Sequence, residues 1–159
     1  MTTIYLNYDK IKGDATDDSH KDWIEVSDVE FSVERTFSTG IGSSKNREST
    51  QPKLGEITIT KRIDTASPLL FQEAVSGTKG KDVKIEFVST AQGGAPYCSF
   101  LLKNTLVGSY SLESESDRPI EKVNLNFTWI KYSVAGGDLA GLFGKGTDFT
   151  YDFAAGKSG

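Results

Sequence analysis

Apolar residues recur at every second position along most of this chain, and a period of two restricts it to half-buried β-strands. Ile4, Leu6 and Tyr8 share one face of a first strand. Ile57, Ile59 and Ile63 alternate with Glu56, Thr58 and Arg62, and Val83, Ile85 and Phe87 alternate with Asp82, Lys84 and Glu86. Cys98, Phe100, Leu102, Asn104 and Leu106 keep the same spacing, and SYSL follows Gly108. In WIEVSDVEFSVERTF the phase slips by one residue. Ile24 and Val26 fall on one face and Val29, Phe31 and Val33 on the other, which predicts a bulge or tight bend near Ser27 and Asp28. IEKVNLNFTWIKYSV reads as the longest strand. Val123, Leu125, Phe127 and Trp129 supply one apolar face, while Ile130, Tyr132 and Val134 begin to load the other, so both faces are expected to be covered. A last strand is expected at DFTYDF.

One stretch breaks the pattern. TASPLLFQEAVSG reads as a helix over about residues 67–76, with Ser67 capping the first turn, Pro68 at the first helical position and Gly77 as a left-handed stop. Leu70, Phe71, Ala74 and Val75 form one apolar stripe. So short a helix does not hold its shape alone in water, so it is expected to cover the open end or side of a curled sheet. No catalytic group lies on it.

The segment STGIGSSKNRESTQPK, residues 38–53, has no periodicity and carries the turn formers Gly40, Gly42 and Pro52. A loop of this length inside a compact domain is uncommon. It reads either as a plain surface loop or as an arm that becomes ordered by lying on a neighbouring copy.

Composition excludes several functions. With 22 acidic against 18 basic residues and a net charge of -4, the chain presents no basic surface for a phosphate backbone, so nucleic acid is not an expected partner. Cys98 is the single cysteine, which rules out an internal disulfide or a cysteine-based metal site. The opening MTTIYLNYDK has no basic region followed by an apolar one, so neither a secretory signal nor membrane insertion is expected.

Catalytic constellations are equally sparse. His20 is the sole histidine and, within DATDDSHKD, reads as a solvated loop residue. Asp14, Asp17 and Asp18 lack the spacing of a calcium loop. Glu113, Glu115 and Asp117 read as a charged hairpin tip, although paired carboxylates there would be the place for acid–base chemistry on a sugar. The terminal GKSG fails as a phosphate loop, because Tyr151 occupies the first glycine position. Asn126-Phe127-Thr128 is a glycosylation sequon inside an expected strand. No enzyme, cofactor or metal is expected, and a monomeric β-sandwich binding module shares these features.

The order of the pieces resembles a known family. DTASPLLFQEAVSGTKG after EITITKRI, KNTLVGSYSL, and SDRP leading into IEKVNLNFTWIKY are similar to the haemolysin-coregulated protein (Hcp) family of type VI secretion systems. So are the opening IYLNYDKIKGDATDDSHKDWIEV and the closing YDFAAGK; the departure lies in KYSVAGGDLAGLFGKGTDFT. The resemblance implies a mainly β fold, a curled two-sheet β-barrel with one flanking short helix and a long extended loop, spanning residues 1–159 as one domain. It also implies a structural tube protein: hexameric rings that stack inside a contractile sheath beneath a spike protein, with effector proteins in the lumen. Such a protein sits in the bacterial cytoplasm before firing and is then secreted without a signal peptide. On that view Ser43, Ser44, Lys45, Asn46, Arg47 and Glu48 of the arm are the expected subunit-interface residues.

Overall fold

The computed structural model describes residues 2–39, 47–49, 52–53, 55–89, 95–115, 117–136 and 144–158. The strands are β1 (Thr2–Tyr8), β2 (Ile24–Val26), β3 (Asp28–Ser32), β4 (Phe37–Thr39), β5 (Arg47–Ser49), β6 (Glu56–Arg62), β7 (Lys81–Ser89), β8 (Pro96–Glu113), β9 (Ile120–Asn126), β10 (Trp129–Gly136), β11 (Gly144–Asp152) and β12 (Lys157–Ser158). Among the described residues a single helix, α1 (Ser67–Ser76), joins β6 to β7.

All strand pairs are antiparallel. One sheet runs β12-β11-β10-β8-β7-β1-β2, and the other runs β3-β6-β9-β8. The 18-residue β8 belongs to both. The sheets curl over a common core without closing, so the expected barrel is an open one. Leu6, Ile24, Val83, Ile85 and Leu102 of the first sheet meet Ile57, Ile59, Val123 and Leu125 of the second, all fully buried. Burying each such side chain contributes about 1.5–3 kcal/mol.

A strand that passes from one sheet to the other has to reverse the side it turns inward. The expected bend at Ser27 is one such place: β2 pairs with β1, and β3 pairs with β6. The Ser27 N–H and hydroxyl both donate to the Thr60 carbonyl, at 2.8 Å each, which holds the corner.

A second reversal was not legible as such. The single long strand expected over residues 120–134 is in fact two, β9 in one sheet and β10 in the other, broken at Phe127 and Thr128. The apparent loading of both faces is the signature of that break. The longest strand is β8 instead.

The third reversal corrects the phase expected for Leu106. Asn104 takes a left-handed φ of 55°, after which Thr105 and Val107 point inward and Leu106 is 36% exposed. The Asn104 amide donates to the Thr128 hydroxyl at 3.2 Å, and the Thr128 N–H donates to the Lys103 carbonyl at 3.3 Å, so two of the corners brace each other. Gly80 lies against this corner so tightly that an added Cβ would sit 2.6 Å from the Asn104 Cα.

The helix differs in three respects from its sequence signals. Its N-cap is Ala66, without a side-chain cap, and the Ser67 hydroxyl is drawn into a buried polar cluster instead. Gly77 is extended, with φ −69° and ψ 124°, rather than left-handed. Of the expected stripe, Leu70 is fully buried and Ala74 packs on the core, while Phe71 and Val75 are exposed. The expected placement of the helix as a cover stands, because Ala66 and Leu70 join the core and α1 packs against β8.

Gly80→Ala is expected to destabilise the protein by about 1–3 kcal/mol, since overpacking against backbone has no cheap relief. Asn104→Gly is expected to cost no more than about 1 kcal/mol, because glycine accepts the positive φ and only the amide's bond to Thr128 is lost. Urea denaturation of both variants measures the difference.

Candidate functional site

The carboxylates, the cysteine and the terminal motif lie far apart on the fold. Glu113, Glu115 and Asp117 are exposed around the β8–β9 turn, as a charged tip should be. Asp14 accepts hydrogen bonds from the Thr65 hydroxyl and N–H, tying the first loop to the start of the helix. Lys157 and Ser158 of the terminal GKSG form β12 against β11, and Asn126 ends β9. Burial pushes the Cys98 thiol up, which keeps it a poor nucleophile. Among the described residues, no group of three or more His, Cys, Asp or Glu side chains is placed to hold a metal ion.

His20 overturns its expectation. It is only 2% exposed, with Nδ1 at 2.7 Å from an Asp17 carboxylate oxygen and Nε2 at 3.1 Å from one of Glu86. Its ring stacks on Tyr5 at 4.3 Å and meets the edge of Trp23 at 4.7 Å. The loop between β1 and β2 is therefore packed rather than solvated, with Ile11 and Ala15 also buried.

Under the helix lies a polar cluster that the alternation pattern concealed. Lys61 continues the inward series of Ile57 and Ile59, and Glu121 continues that of Val123 and Leu125; the two are register partners in β6 and β9 and both are fully buried. The Lys61 ammonium donates to Glu121, to Asp64 at 2.8 Å and to Ser67 at 3.3 Å, which uses its three protons. Ser67 donates to Glu121 at 2.7 Å and accepts the Asp64 N–H at 2.9 Å, while the Tyr110 hydroxyl donates to the other Glu121 oxygen. Three strands (β6, β8 and β9), the β6–α1 connection and the first helical turn are thus joined at one centre. Burial, together with the neighbouring Glu121 carboxylate, pushes the Tyr110 phenol well above its ordinary range.

This anchoring leaves apolar surface facing outward. Leu69, Phe71 and Val75 of α1 are exposed, with Val75 at 70%. Phe71 leans on Tyr110 with ring centroids 5.7 Å apart, and Leu112 lies two residues further along β8, also exposed. A second exposed group, Tyr132, Val134 and Phe149, lies on the first sheet; Tyr132 and Phe149 are direct cross-strand partners, and the Tyr132 ring meets Phe31 of β3 edge-on at 6.4 Å. Contiguous exposed apolar patches mark interaction sites or ligand-binding grooves.

The arm is only partly described. Ser43, Ser44, Lys45 and Asn46 lie outside the described residues, while Arg47 and Glu48 fall in β5, opposite Thr39 and Ser38 of β4. What read as structureless chain thus contains a two-stranded sheet, which pairs with no other described strand. Of the departing segment KYSVAGGDLAGLFGKGTDFT, residues 137–143 are likewise outside the description.

The fold is thus an open, curled two-sheet β-protein with a covering helix, outward apolar patches and a separate β4–β5 pair. The family model for the type VI secretion system effector Hcp matches residues 5–134, and the chain belongs to that family. A solved type VI secretion system protein superimposes with a TM-score of 0.91 at 23% identity, covering 100% of both chains. Hcp1 from Salmonella typhimurium aligns at 0.77 and 24% identity over 99% of this chain and 98% of its own. The secreted Hcp3 from Pseudomonas aeruginosa aligns at 0.62 and 18% identity over 96% and 99%. At these identities the structures establish the fold. No curated protein matches the chain.

Lys61→Met leaves the Glu121 carboxylate buried without its cation and is expected to cost about 3–5 kcal/mol. Adding Glu121→Leu is expected to restore more than half of that loss, as measured by urea denaturation of the two variants side by side.

The tyrosines give a pH signature. Burial, reinforced by Glu73, pushes the Tyr8 phenol well above its ordinary value near 10, as burial and Glu121 do for Tyr110. The folded state thus favours the protonated phenol, so the stabilisation is complete below pH 10 and is lost as pH rises further. The Tyr8 hydroxyl is buried without a partner among the described residues. Tyr8→Phe is therefore expected to shift stability by no more than about 1 kcal/mol at pH 7 and to flatten the fall in Tm above pH 10.

Proposed function

We propose that this chain is the tube subunit of a type VI secretion system, and that it works by assembly rather than catalysis. Copies meet head-to-tail, one face of the fold against a different face of the next, and close into hexameric rings. The rings stack into a tube inside a contractile sheath, with a spike protein at the tip and effector proteins in the lumen. The tube is built in the bacterial cytoplasm and leaves the cell by contraction. Residues 1–159 act as one domain, and the arm from 38 to 53 crosses to a neighbouring copy through Ser43, Ser44, Lys45, Asn46, Arg47 and Glu48.

The observation that carries this reading is the β4–β5 hairpin. A two-stranded sheet on its own is marginal in water and needs a further surface to settle on. The hairpin pairs with no other described strand, and Val33 ahead of it and Phe37 at its start are about half exposed, at 51% and 47%. Family membership supplies the secretion context. Heterologous contact explains how one such arm per copy gives a closed ring: each copy offers its arm and receives another's.

Deleting Gly42 to Gln51 is expected to yield a protein with near-native Tm that sediments as a monomer, while the full chain sediments as an oligomer. Oligomers that survive the deletion unchanged contradict the role given to the arm. A full chain that is itself monomeric favours a solitary binding module.

A further inference from the structure

An arm that crosses to a neighbouring copy needs a receiving face there, matched to it in apolar surface and in charge. Two exposed apolar groups compete for that role. Tyr132, Val134 and Phe149 are partly engaged within their own copy, where the Tyr132 ring meets Phe31 and stacks on Phe100 at 4.6 Å. The charges next to them in β10 and β11, Lys131 and Asp148, lie 3.8 Å apart and offset each other.

The other group lies where α1 meets the end of β8. Phe71 and Val75, one helical turn apart, and Leu112 of β8 are all exposed. Phe71 rests on Tyr110, and Leu112 follows Tyr110 on the same face of β8, so these side chains make one apolar face. Its rim is acidic. Glu73 is the only charged residue of α1, and beyond Leu112 the chain runs into the exposed Glu113, Glu115 and Asp117 of the turn to β9. The single cation of that turn, Arg118, donates to the Ile63 carbonyl at 2.6 Å and is held against its own copy.

The arm has the opposite character. Its root is closed by the Glu34–Lys53 pair at 3.9 Å, and residues 35–51 between them carry Arg35, Lys45 and Arg47 against Glu48 alone. The Arg35 guanidinium sits 4.6 Å over the ring of the half-exposed Phe37, so the start of the arm presents an aromatic ring and a cation together. An apolar face with a carboxylate rim is complementary to that combination, and the Tyr132 group with its neutralised charges is not.

We propose that the arm of one copy docks on the Phe71–Val75–Leu112 face of the next, with Phe37 against the apolar face and Arg35, Lys45 and Arg47 answering the carboxylates of Glu113, Glu115 and Asp117. This docking rests on the proposed assembly and adds the receiving surface to it. Donor and acceptor sit at separate places on each copy, so one contact, repeated from copy to copy, joins many of them.

Charge exchange in the full chain tests the docking, with the concentration at which half of the protein is oligomeric read by sedimentation velocity at low salt. Lys45→Glu with Arg47→Glu is expected to raise that concentration on the order of tenfold or more, and Glu113→Lys with Glu115→Lys to do the same, because like charges then face each other across the contact. The four substitutions together are expected to bring it back to within about threefold of the wild type. Phe71→Ser is expected to weaken assembly in both the wild-type and the exchanged background, and thermal melting checks that every variant is folded. Reversal at Glu113 and Glu115 that leaves assembly unchanged overturns the docking, as does a fourfold variant that assembles no better than either pair alone. If deleting Gly42 to Gln51 still disperses the oligomer in that case, the arm keeps its role and its receiving face is elsewhere; a wild-type chain that is monomeric removes both.

Discussion

A strand that serves two sheets must exchange its inward and outward faces where it crosses, and the architecture of this protein depends on three such crossings. They lie at Ser27, at Asn104 and at Phe127–Thr128. Each is secured by backbone or side-chain hydrogen bonds, and the latter two are bonded to one another. Because β8 crosses intact, the two sheets are covalently and laterally continuous, and the core between them is enclosed on one side by the same strand. The open side and the ends are left for other elements.

The helix deals with one of these openings. Its position comes from the Lys61–Glu121 pair, which is held in a fully hydrogen-bonded setting with Asp64, Ser67 and Tyr110. A buried ion pair adds little net stability over an apolar pair of the same volume, but it punishes any arrangement that separates the partners. That makes it a device for fixing where the helix sits rather than how tightly. With Leu70 inward, the register puts Phe71 and Val75 outward, so a choice made in the core determines an apolar surface outside. On the proposed reading, surfaces of this kind and the β4–β5 hairpin are what the protein works with.

Much of the fold was legible because period-two alternation is dictated by burial on one face. The phase slip at Ser27 and the two-sided apolar loading after Phe127 both report real crossings, although by spacing alone the second is indistinguishable from one doubly covered strand. The crossing at Asn104 left no trace. Asn104 is polar and a neighbouring Leu106 extends the false phase, so only the backbone φ reveals the turn. His20 was misread for a different reason: its neighbours in sequence are polar, and the groups that bury it, Tyr5 and Glu86, are distant in the chain. Ser67 shares that problem, since a helix cap is the local reading and a partner on β9, Glu121, changes it. Family resemblance reached the identity that spacing could not, while four of the expected interface residues, Ser43 to Asn46, lie outside the described structure.

The central claim is that the working object is a hollow assembly of many copies, and negative-stain electron microscopy of the purified full chain tests it most directly. Annular particles of uniform diameter with a central hole are the predicted result, either singly or as short stacks. Fields of small solitary particles at every concentration and in every mild buffer would contradict it.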